Sequence, residues 1–263
     1  MTSTHRSERT FLGVSTLLFA VSAAMTIGWC ASMSAMGTMP MPGGWTMSMA
    51  WMRMPGQTWL GAAASFLAMW LVMMVAMMLP SLTPVLVRYR RVVAKGREAR
   101  LAWLTALVGA GYFLVWTVLG ITVFPVGVAL ASIEMRLPAL ARGVPIAVGV
   151  VVVIAGALQH TAWKARHLAC WREAPAPGRM LSADAGAAWR YGLRLGLDCI
   201  CCSAGLTASL LVIGVMDLRA MAVVTVAITI ERLAPAGERV ARAIGGVALV
   251  AGTLMIARAA GLG

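Results

Sequence analysis

Apolar residues in this chain gather into blocks of about 20, separated by short polar or basic stretches. A helix of about 20 apolar residues, rising 1.5 Å per residue, crosses roughly 30 Å of hydrocarbon. The pattern predicts seven spans: Phe11–Ala31, Trp59–Leu79, Leu101–Phe124, Val144–Trp163, Gly192–Met216, Ala220–Ile230 and Ile244–Leu262. The sixth is short and borrows Glu231–Leu233. The fold class expected is all-α, a polytopic transmembrane helix bundle of about seven spans. Residues 1–58 hold the first span and an outer loop, 59–235 a membrane core, and 236–263 a last span. No period of 20–50 residues repeats, so an inverted-repeat transporter is not suggested.

Composition narrows the class further. Hydrophobic residues make up 60% of the 263 and charged residues 12%, against about 45–50% and about 25% in soluble domains. A soluble globular enzyme and a disordered chain are both excluded on this ground. The net charge of +13 sits on residues that flank apolar blocks, which points to membrane topology and lipid rather than to nucleic acid. With a cytoplasmic N-terminus, 17 of the 22 Lys and Arg fall on the cytoplasmic side and five on the other, as the positive-inside rule requires. The first span also follows a basic start and precedes small residues (Ala31–Ala35), as a secretory signal does. Its apolar core, Phe11–Trp29, exceeds the about 7–15 residues of a signal core, so a retained helix is expected. Cleavage would leave six spans in the same orientation.

Sulfur carries the first hint of chemistry. The chain has 20 methionines but only three tyrosines and five phenylalanines. In the second span Met69, Met73 and Met77 share one stripe, and Met74 and Met78 form another about 100° around. Thioethers are soft donors suited to Cu(I), and methionine also fills irregular gaps between helices; both readings are open. In the fifth span Cys199 and Cys202 lie on one face at i, i+3, with Cys201 beside Cys202. Two thiolates on one face begin a Cu(I) or Zn(II) site, although free cysteine is also a common buried hydrophobe. Asp198 beside them suggests a hydrated or paired site.

A third segment ends the fourth span. His160 and His167 share a face if the helix continues (i, i+7), and His167 and Cys170 are i, i+3. The same stretch also reads as an interfacial segment, with Trp163 and Trp171 as aromatic anchors and Lys164 and Arg166 meeting lipid phosphate. If the topology holds, the second, fourth and fifth spans bring these donors to one depth. Met77 and Cys201 are then each expected within about 10 Å of their cytoplasmic helix ends. The candidate ligands are Met73, Met74, Met77, Met78, His160, His167, Cys170, Cys199, Cys201 and Cys202.

The outer loop is a separate signal. Residues 25–54 contain nine methionines, where uniform spreading would give about two. Met33, Met36 and Met39 are three apart; Met39 and Met41, Met47 and Met49, and Met52 and Met54 are two apart. Such a segment suits soft-metal capture outside the reducing cytoplasm, or lies on the membrane as a flexible apolar stretch. Gly192 and Gly196 read as close helix packing, and Ser182 or Asp184 as a cap for a short helix before the fifth span. Glu231 and Arg232 read as an interfacial pair, Glu134 as an outer-loop residue. Phosphate-cradling loops, nucleophile elbows and haem-attachment motifs are absent from the sequence, and no acid–base constellation appears, so no enzymatic turnover is expected.

The string Trp70-x-x-Met73-x-x-Ala76-Met77-Met78-Leu79-Pro80-Ser81-x-x-Pro84 resembles the hallmark of a bacterial family of predicted metal-binding integral membrane proteins. That family includes a membrane copper chaperone serving a tyrosinase. Further strings match in order: Gln159-x-Thr161-x-x-Lys164, Gly192-Leu193-Arg194-x-Gly196-x-x-Cys199, Val212–Asp217 and Glu231-Arg232. The resemblance covers about residues 59–235. Two places depart from it: His167 and Cys170 stand where the family carries a cysteine pair, and the cysteines at 199–202 are shifted in register. The resemblance implies a bacterial inner-membrane protein that binds Cu(I), or another soft or borderline ion such as Zn(II), and passes it to a copper enzyme or copper-transfer protein. The competing expectation is a permease subunit for a small solute or ion, with methionine as packing and with Glu231 and Asp198 in the leading roles.

Overall fold

The computed structural model describes residues 2–35, 39–54, 56–93, 98–175 and 183–261. Among them are eight α-helices: α1 (Thr2–Ala35), α2 (Trp59–Val93), α3 (Glu98–Arg136), α4 (Pro138–Leu158), α5 (Ala162–Glu173), α6 (Ala185–Gly214), α7 (Leu218–Leu233) and α8 (Gly237–Ala259). Six of these, all but α5 and α7, are long and apolar enough to cross a membrane. The predicted sixth span is α7, whose 16 residues rise about 24 Å, short of the hydrocarbon thickness. One face of it, with Met221, Val224 and Ile228, packs against α2, α6 and α8, and the other, with Val223, Val226 and Ile230, is exposed.

Helix ends follow local chemistry. The fourth span stops at Leu158 because Thr161 takes an extended conformation and its hydroxyl accepts from the Lys164 amide at 3.3 Å, starting α5 anew. His160 and His167 therefore do not lie on one continuous helix, and the i, i+7 expectation fails. Asp184 caps α6 directly, its Oδ1 accepting from the Ala187 amide at 2.8 Å, so the helix it starts is continuous with the fifth span; Ser182 lies outside the described residues. Asp217 caps α7 in the same way, through the amides of Arg219 and Ala220. Glu134 belongs to α3, not to a loop.

Helix α2 runs on through Pro80 and Pro84 to Val93. Proline deprives the carbonyl four residues earlier of its donor, but buried membrane helices tolerate this. The consequence is a change of depth. Met77 lies 16 residues before the end of α2, and Cys201 lies 16 residues after the start of α6, about 24 Å in each case. The donors sit mid-helix rather than near the helix ends.

Small residues set the closest approaches. A Cβ on Gly156 in α4 would stand 2.8 Å from the Gly245 carbonyl oxygen of α8, so larger residues would force the two helices apart. Near its start, α1 is tied to α2 by Glu8 with Arg91 at 2.6 Å and by Ser7 with Arg90 at 2.9 Å. Among the described residues, the methionine segment after α1 is ordered against the bundle. Met39–Met41 pairs antiparallel with Trp45–Met47, and Trp45 Nε1 donates to the Ala141 carbonyl at 2.8 Å. Trp51 then packs on Phe66, ring centroids 5.3 Å apart.

Candidate metal centre

Met73, Met74, Met77 and Met78 all point into the bundle and are buried with Cys199 in the main core. One pair is in contact: Cys199 Sγ lies 3.9 Å from Met78 Sδ, and both residues are fully buried. Two more groups close on the same sulfur. Tyr112 Oη is 2.9 Å away, and Arg232 Nη2 donates to it at 3.2 Å. Helix packing brings Tyr112 there. A Cβ on Gly196 would stand 2.9 Å from the Tyr112 carbonyl oxygen, so the absence of a side chain lets α6 seat on α3 at this level.

Arg232 is braced on several sides. Its Nη1 donates to Ser81 Oγ of α2 at 2.9 Å, its Nη2 also reaches the Cys199 carbonyl at 3.3 Å, and its Cζ lies 4.2 Å from the centre of the Trp171 ring. A cation over an indole face is attracted by the ring quadrupole. Beside it, Lys164 Nζ donates to Glu231 Oε1 at 2.6 Å and to the Cys202 carbonyl. Glu231 Oε2 accepts from Gln159 Nε2 at 3.3 Å. Burying these charges is costly unless each is paired and hydrogen-bonded. Lys164 and Glu231 pair with each other, whereas Arg232 is hydrogen-bonded through Nη1 and Nη2 but has no carboxylate partner among the described residues, and its Nε is left without a partner.

These contacts correct three sequence expectations. Lys164 is buried rather than at lipid phosphate, and Trp171 is buried in the core rather than serving as an interfacial anchor. Glu231 and Arg232 are not an interfacial pair: Glu231 binds Lys164, and Arg232 binds the Cys199 sulfur. Single-sequence reading could not find Tyr112 at all. The two adjacent charges within an apolar block were the available signal for the rest, because intramembrane charges require partners.

The remaining candidates are spread out. Cys202 is buried with Leu168 and Ala241 in a small second cluster, and Cys201 is half-buried. His160 is exposed and lines a cleft of about 270 Å³ with Gln159, Lys164 and Leu168. His167 lies edge-on to Trp163, centroids 4.7 Å apart, and Cys170 is exposed. Among the described residues, no three His, Cys, Asp or Glu side chains gather to hold an ion, so any core site depends on methionine. In the outer segment Met47 is buried, Met33, Met39, Met41, Met49 and Met52 are half-buried and Met54 is exposed; Met36 lies outside the described residues.

Four of the five motif strings, up to about 160 residues apart in the chain, converge on this cluster: Met78 and Ser81, Gln159 and Lys164, Gly196 and Cys199, and Glu231 and Arg232. The result is a helical bundle with apolar spans around a buried thiol–thioether contact braced by ionic groups. Over residues 67–255 the chain matches the model of the family PpoB2, described as a copper chaperone, and it belongs to that family. The match begins inside α2 and runs into α8. No curated protein and no solved structure matches the chain.

Proposed function

We propose that this protein binds Cu(I) within its bundle, at Cys199 and Met78, and passes it to a copper enzyme or copper-transfer protein at a bacterial inner membrane. The observation that carries the reading is the 3.9 Å approach of Cys199 Sγ to Met78 Sδ in a chain of a copper chaperone family. A d10 ion holds thiolate sulfur at about 2.3 Å. Two donors 3.9 Å apart then subtend about 116° at the ion, an angle suited to three ligands. Buried Met74, about one turn away on the same stripe of α2, is the neighbouring soft donor.

Arg232 explains why such a site would release its cargo. The metal-binding form of cysteine is the thiolate, and Arg232 sets a full positive charge 3.2 Å from that sulfur. Lys164, Glu231 and Arg232 together carry one net positive charge, which an ionised Cys199 cancels. Adding Cu(I) restores the excess, so guanidinium and metal compete for one sulfur. Transfer then proceeds by ligand exchange, without a chemical step.

Purified full-length protein loaded anaerobically with Cu(I) tests the reading. A stoichiometric core ion is expected in the wild type, and its loss in Cys199→Ser and in Met78→Leu. A copper count that neither variant lowers rules the core site out. The permease reading draws on the buried Lys164–Glu231 pair; it predicts solute uptake that persists in Cys199→Ser and fails in Glu231→Gln.

A further inference from the structure

A second thiol–thioether contact lies far from the first. Cys30 Sγ, near the end of α1, is 3.8 Å from Met216 Sδ, in the turn between α6 and α7. This is the opposite end of α1 from the Glu8–Arg91 pair, and it is the end from which the methionine hairpin departs.

Both donors are held by the fold. Cys30 is buried and continues a stripe of buried small polar residues on α1, after Ser22 and Thr26 at intervals of four. Met216 sits in a tight turn. Gly214, at φ +148°, ends α6, and the Asp217 amide bonds back to the Gly214 carbonyl at 3.0 Å. The Asp217 carboxylate then starts α7. A residue fixed on both sides loses little freedom when it takes a ligand.

We infer that Cys30 and Met216 form a second soft-metal site, at the outer end of the bundle. At about 2.3 Å from each sulfur, an ion bridging 3.8 Å subtends about 111°, again leaving room for a third donor. Met33 lies one turn beyond Cys30 at i, i+3, and hence on a neighbouring part of the same helix face. The ion displaces the Cys30 thiol proton to water and forms a sulfur–metal bond, with no change in oxidation state. Cys30 falls outside the family match and Met216 inside it, so half of this site comes from the segment that precedes the family region. The outer site takes only the identity of its ion from the proposed function; its location is independent of the core.

Ion counting separates the two sites. The full chain, in a Cys170→Ser background that removes the exposed thiol, is titrated anaerobically with Cu(I) against a chromophoric Cu(I) chelator. Two ions are expected for this parent and one for each of Cys30→Ser, Met216→Leu and Cys199→Ser. Met216→Leu conserves volume, and the ion it keeps at the core reports that it is folded. A count that Cys30→Ser and Met216→Leu leave unchanged overturns the outer site, whatever Cys199→Ser does. A count unaffected by Cys199→Ser but lowered by the other two supports the outer site and refutes the core one.

Discussion

Replacing Glu231 by glutamine should be among the most destabilising single changes in the bundle. Its carboxylate is fully buried and receives Lys164 Nζ at 2.6 Å. The amide would keep the shape but leave the Lys164 ammonium, 4% exposed, with carbonyl acceptors and no anion. Breaking a buried pair from one side costs about 3–5 kcal/mol, a large part of the about 5–15 kcal/mol that holds a typical fold. Lys164→Met leaves the reverse defect and should cost a similar amount. Removing both charges together leaves no unpaired ion, so the double variant should lose less than either single one. Unfolding in mixed micelles, as the fraction of denaturing detergent is raised, measures all three through tryptophan fluorescence. Single losses below about 1 kcal/mol, the range of solvent-exposed pairs, would refute the reasoning. So would a double loss equal to the sum of the singles, since independent sites add and coupled ones do not.

Two further outcomes follow from packing. Gly196→Val should push α6 from α3, because even a Cβ there meets the Tyr112 carbonyl oxygen at 2.9 Å. Overpacking of this kind costs about 1–3 kcal/mol, and the variant should hold Cu(I) less tightly than wild type in chelator competition. Trp45→Phe removes the hydrogen bond to Ala141 at about 0.5–1.5 kcal/mol; faster proteolysis within residues 39–54, with the core Cu(I) count unchanged, is the expected result.

The bundle was legible because hydropathy and charge each report on lipid directly. Seven apolar blocks became eight helices among the described residues, and the discrepancies have causes. Thr161 restarts the chain as α5, and Pro80 and Pro84 fail to stop α2. In the site, spacing put Met78 on one stripe with Met74 and Cys199 on one face with Cys202; the structure buries Met74, Met78 and Cys199 together and sets Cys202 in a separate small cluster. Lys164 and Arg232 were misread because a basic residue at the edge of an apolar block has the same local sequence whether it meets lipid phosphate or a carboxylate. Only the partner decides, and Glu231 lies 67 residues from Lys164. Tyr112 left no trace, since a tyrosine in a span has no periodicity to mark it.

Helix α7 carries a consequence for biogenesis. It is short, and it ends on Glu231 and Arg232, each deeply buried. Charges at mid-bilayer cost about 2.5–3.5 kcal/mol apiece on insertion scales, so α7 alone is a poor substrate for the lateral gate of a translocon. Its counter-charge and polar partners, on α2, α5 and α6 and at the end of α4, are all made earlier in the chain. During synthesis α7 can leave the gate against helices already waiting for it, and a circular permutant that began at α7 would have to insert those charges bare.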